Sequence, residues 1–270
     1  MILETSVIIN SIFDSKINGY VRKKQTKYSL RGTYFILFEF KRGFIGNLIR
    51  YYLLIEKFGY SKAKRMLKLP QFSFRVTPAV LNLESFITDN NEIILNKNDE
   101  AMLQIESYIS VFLDLFYEVL LNKELIGYPV KNDVLNFDLL SKKNYKDFIK
   151  LIDSRENKIH LKKFLTKNIS IFEKISENEH GIKNKRFLKL LDSISKILKC
   201  VHENDSRLDT DAVFLLKDNQ HMGDAIIATD MHKNHSLFTF DEIFKDICKT
   251  LNRKVLIIGI ATQVKIDTLN

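Results

Sequence analysis

Proline and glycine are scarce, three and nine among 270 residues. Few residues can therefore interrupt a helix, and long stretches mix apolar and charged side chains without a breaker, which predicts a helix-rich chain. Cysteine is scarcer still. Cys200 and Cys248 form no CxxC pair and stand near no His pattern of zinc-ligand spacing, so a reducing, cytoplasmic setting is expected. Long apolar runs are also missing. The opening MILETSVIINSIFDSK carries Glu4 early and lacks a basic leader, so it reads as neither a signal peptide nor a membrane span, and no membrane partner is expected. No internal repeat is present.

What the chain does have is apolar and aromatic mass. Hydrophobic residues make up 45% and aromatics 11%, mostly Phe and Tyr, enough to build a core and far from the composition of disorder. The net charge of +9 suits a polyanionic partner, because neutralising phosphates releases condensed counterions. A solvated basic surface accounts for the same charge. Composition alone leaves both open.

Along the chain, Ile2 to Ile9 reads as a short buried strand interrupted by Glu4, Thr5 and Ser6. The basic stretch from Tyr20 to Arg31 follows, with Arg22, Lys23, Lys24 and Lys27. Thr33 is placed to cap a long helix that runs through Leu53 and carries Glu39 between Phe38 and Phe40. From residue 61 to 200 amphipathic helices succeed one another, such as Asp99 to Leu121 and Lys185 to Cys200, with an irregular stretch or hairpin expected from Phe72 to Leu95. The tail predicts helices at Asp211 to Leu216, Gly223 to Thr229 and Asp241 to Leu251, with strands at Ser236 to Thr239 and Val255 to Ile260. Strands alternating with helices argue for an α/β unit with a parallel sheet. That unit is assigned to residues 1–60 and 201–270, with a helical insertion at 61–200.

Functional groups in such sheets gather beyond the carboxyl ends of the strands. Glu4, Glu39, Asp224 and Asp241 have positions suited to this. Carboxylates crowded into a cleft repel one another unless a cation offsets them, which implies a hard, oxygen-seeking ion such as Mg²⁺ or Mn²⁺. An ion of that kind can generate hydroxide and stabilise a phosphoryl oxygen, so phosphodiester hydrolysis is the natural chemistry.

Four blocks carry a resemblance. Ile2-Leu3-Glu4-Thr5-Ser6 resembles the opening strand of PIN-domain nucleases, in which an apolar pair precedes Asp-Thr-Asn or Asp-Thr-Ser. Thr33 to Gly43, with Glu39 shortly before Lys41, Arg42 and Gly43, is similar to the family's helix with an acidic residue ahead of a basic residue and Gly. Gly223-Asp224-Ala225-Ile226-Ile227-Ala228 looks like its Asp-Ala-Leu-Ile-Ala helix, and Leu237-Phe238-Thr239-Phe240-Asp241 like its strand ending in Thr then Asp. The order agrees throughout. Two features depart from the pattern: Glu4 replaces Asp, and the insertion is much longer than in compact members such as VapC-type toxins.

The resemblance implies a three-layer α/β core and a metal-dependent endoribonuclease, with Glu4, Glu39, Asp224 and Asp241 holding Mg²⁺ or Mn²⁺ and with Thr5, Ser6 and Thr239 orienting them. Single-stranded RNA is the implied substrate in preference to DNA. Arg22, Lys23, Lys24, Lys27, Arg31, Lys41 and Arg42 would hold the backbone, with Tyr28, Tyr51, Tyr52 and Tyr60 for base stacking. Other readings stand beside these. Asp224 and Asp241 suit helix caps, Glu39 an ion pair with Arg42 or Arg22, and the substitution at Glu4 suits a catalytically silent scaffold whose insertion binds a protein, a second copy or nucleic acid.

Overall fold

A computed structural model describes residues 1–66, 77–89, 96–115, 125–127, 133–153, 162–177, 184–203 and 222–258. Strand β1 (Ile2–Leu3) stops after two residues because Glu4, extended at φ −73°, accepts a hydrogen bond from the Ser6 amide. That is an N-cap, and it starts helix α1 (Thr5–Phe13). The expected strand from Ile2 to Ile9 is thus mostly helix. A short apolar run fits either structure, and the capping carboxylate decides between them.

Helix α2 (Ser15–Lys27) follows, capped by Asp14. Thr33 then caps α3 (Tyr34–Glu39), its hydroxyl accepting from the Ile36 amide at 3.1 Å. A π-helical stretch (Phe40–Ile45) leads without a break into α4 (Gly46–Phe58), which ends at Gly59 with φ of 77°. The wider turn shifts the buried face and carries Lys41 inward with Phe40, Phe44 and Ile45.

Short helix α5 (Tyr60–Met66) precedes α6 (Thr77–Asp89) and α7 (Lys97–Leu115). The irregular stretch or hairpin expected from Phe72 to Leu95 is corrected over 77–89, where Pro78 sits in the first helical turn and loses no hydrogen bond there. Residues 67–76, 90–95 and 116–121 lie outside the described residues. Helix α7 packs along α4 and is joined to the first helices by aromatic rings: Phe112 lies 4.5 Å from Phe44, 5.3 Å from Phe13 and 6.0 Å from Phe40.

Beyond α7 come α8 (Asp133–Asn136), α9 (Tyr145–Asp153), α10 (Lys162–Lys167), α11 (Ile169–Ser176) and α12 (Lys185–His202). The last elements are α13 (Met222–Asp230), β2 (Ser236–Thr239), α14 (Ile243–Thr250) and β3 (Lys254–Ile257). The Asp211 to Leu216 helix and the end of the Val255 to Ile260 strand fall outside the described residues.

The three strands form one parallel sheet in the order β1, β2, β3, with Ile2 opposite Leu237 and Ser236 opposite Lys254. The sheet is small. Among the described residues the chain is mostly helical, and the three-layer α/β core is overturned by strands of two, four and four residues. The polar trio that ended β1 and the helical course of Thr5 to Phe13 leave too little extended chain for a broad sheet. Among the described residues no helix is long and apolar enough to cross a membrane.

Three buried acids set a pH dependence. Burial pushes the Cys248 thiol up to about 12, and burial with the nearby Glu106 pushes Tyr145 up to about 12. Tyr52 rises further, through burial and a hydrogen bond with Glu106. Below their ordinary values all three are neutral whether folded or not. Above about pH 9 the unfolded chain releases protons that the folded chain retains, so stability falls as pH rises. Urea midpoints are expected to drop between roughly pH 9 and 11, less steeply in Tyr52→Phe with Cys248→Ala; an equal slope in that variant refutes the assignment.

Candidate functional site

The carboxyl end of β1 and β2 gathers the polar residues of the first and fourth blocks. Glu4 is 5% exposed, its amide donating to the Phe238 carbonyl at 3.0 Å, so its side chain leaves the sheet where the strand ends. Glu4 Oε2 accepts from the Ser6 amide at 3.1 Å and from the Ser6 hydroxyl. It also accepts from Thr239 Oγ1 at 3.5 Å. Thr239 Oγ1 in turn accepts from the Asp241 amide at 2.9 Å.

Glu39 arrives from the other side. It closes α3, is half-buried, and accepts from Thr5 Oγ1 through Oε2 at 2.9 Å. Helix α13 abuts it through Gly223: a Cβ there would lie 3.0 Å from Phe35 Cε1 and 3.6 Å from Glu39 Oε1. A side chain here would press on Phe35, so glycine eases the close approach, which brings the first turn of α13, the turn that carries Asp224, up to Glu39. At that position a carboxylate also complements the helix dipole.

Asp241 stands differently. Its Oδ1 accepts from the Ile243 amide at 3.1 Å, at the start of α14, and Arg186 of α12 grips both oxygens at 2.9 and 2.6 Å. The pair is partly exposed, so it adds little stability, but it occupies the carboxylate. Arg186 was invisible to sequence reading because a contact spanning 55 residues leaves no local spacing to detect.

The basic residues divide. Arg22, Lys23 and Lys27 are exposed on α2, Lys24 is half-buried, and the Lys24 ammonium sits 5.2 Å from the Tyr20 ring and 5.8 Å from that of exposed Tyr28. Lys62, Lys64 and Arg65 are exposed on α5, while Lys68 lies outside the described residues. Arg31 is half-buried at the other end of the sheet, bridged to Ile2. Lys41, expected to face substrate, is instead 1% exposed, its ammonium donating to the Leu135 and Phe137 carbonyls at 2.7 and 3.4 Å. Arg42 is half-buried, its pKa lowered by burial and by neighbouring Arg50. Tyr51, Tyr52 and Tyr60, expected to stack on bases, are buried in the core.

An all-oxygen donor set suits a hard divalent ion in kind. Its placement does not: among the described residues no three His, Cys, Asp or Glu side chains stand close enough to hold a metal, and Asp241 is taken by Arg186. Compared with known protein families, with curated proteins and with solved structures, the chain matches none.

Proposed function

We propose that the chain is a nuclease of the PIN-like kind that hydrolyses phosphodiester bonds, with single-stranded RNA as substrate and, once Arg186 releases Asp241, Mg²⁺ or Mn²⁺ as cofactor. The supporting observation is the joining of distant blocks at one sheet end, Thr5 to Glu39 and Glu4 to Thr239 to Asp241, with the Gly223 turn against Glu39. Thr5 and Ser6 orient the two glutamates, and α2 offers ammonium groups beside aromatic rings for backbone and base. No chemical step is assigned to an ion, because the donors do not close around one.

A second reading, a silent scaffold binding a partner through the helices of 61–200, is favoured by the Arg186 grip on Asp241. Thermal melts in Mn²⁺ separate the two. The nuclease reading expects Mn²⁺ to raise the midpoint, more in Arg186→Gln than in wild type and less in Asp224→Asn, since a ligand that binds only the folded state stabilises it by mass action. No shift in any of the three, together with no RNA cleavage, leaves the scaffold.

A further inference from the structure

The opposite, amino-terminal edge of the sheet collects positive charge. His235 immediately precedes β2 and Arg253 immediately precedes β3; because Ser236 pairs with Lys254, the two are neighbours one step outside the register. Arg31 lies alongside β1, bridged to Ile2, which is itself opposite Leu237. Strands stand about 4.8 Å apart, so Arg31 lies two strand spacings from His235 and three from Arg253, spans that long basic side chains along one sheet edge can close.

Two of them carry buried polar atoms with no hydrogen-bond partner, Nδ1 of His235 and both Nε and Nη1 of Arg253. Leaving such polar atoms unpaired costs free energy, and the cost is greatest for charged groups. Among the described residues no carboxylate pairs with Arg31 or Arg253. Asp230, the last residue of α13, packs instead at Gly127, where an added Cβ would fall 2.7 Å from its Cγ. The surrounding charge is of one sign: burial first, then the Met1 amine, Arg31, His232 and Arg253, all lower the pKa of His235.

We propose that Arg31, His235 and Arg253 form a binding site for a phosphate dianion, either free phosphate or the terminal group of a small nucleotide. A tetrahedral dianion takes donors from several directions at once, as guanidinium and imidazole groups from three chain segments along this edge supply them, whereas a planar carboxylate is satisfied by one guanidinium. The site lies at the far end of the sheet from Glu4 and Glu39 and is independent of any nuclease activity.

Calorimetric titration of the full chain with inorganic phosphate and, separately, adenosine 5′-monophosphate tests it. Saturable binding is expected, weakened about tenfold or more in Arg253→Gln and in His235→Gln and unaltered in Glu39→Gln, as loss of one charge-assisted donor implies. Tighter binding of the nucleotide assigns the site to its terminal group, and equal binding assigns it to free phosphate. In NMR spectra of the wild type, phosphate is expected to shift the His235 imidazole resonances and to raise its pKa, a readout that needs no variant to fold. Absence of binding up to about 20 mM phosphate, or affinities unchanged in both variants, overturns the proposal.

Discussion

Glu39→Gln is expected to lower cleavage of single-stranded RNA in Mn²⁺ by about a hundredfold or more while leaving the thermal midpoint within about 2 °C. The amide oxygen can still accept from Thr5, so the local packing survives and only the charge is lost. A smaller loss is expected in Thr5→Val, because the carboxylate remains but is no longer held. Cleavage by Glu39→Gln at the wild-type rate would remove Glu39 from the machinery and with it the strongest structural link between the first two blocks. Because Glu39 is only half-buried, a large fall in stability instead would assign it a structural role.

The largest stability effect is expected at Phe112. Fully buried, it meets Phe13, Phe40 and Phe44 at ring distances of 5.3, 6.0 and 4.5 Å, so it is where α7 locks onto α1 and the π-helical stretch. Truncation to Ala removes the transfer energy of the ring and leaves a cavity between three elements that cannot all collapse inward; about 3–5 kcal/mol is expected from urea denaturation. Phe112→Leu, which keeps most of the volume, is expected to cost roughly half of that or less. A loss under about 1 kcal/mol for Phe112→Ala would mean that α7 does not share the core of the early helices.

Much of the local structure was legible because its signals are local. Thr33 as a cap, the apolar helix after Gly223 and the strand Ser236 to Thr239 depend on neighbours within a few residues. Ile2 to Ile9 was misread because a run of that length has no period that separates strand from helix, and the deciding bond is a side-chain cap by Glu4. Lys41 was misread for a different reason. Its burial depends on the π-helical turn, which alters the phase of the face it shares with Phe40 and Phe44, and on carbonyls supplied by Leu135 and Phe137. Of the candidate site, residue types and order could be read, but Arg186, which holds Asp241, comes from a helix with no motif of its own.

The pairing of Leu3 with Phe238 also bears on how the chain is made. β1 leaves the ribosome before β2 and must wait for it until more than two hundred further residues are synthesised, roughly ten to fifty seconds at ordinary elongation rates. For that interval β1 lacks β2, and because the Glu4 cap turns the chain helical after Leu3, the strand that waits is only two residues long. A strand of two residues offers other chains little edge to pair with.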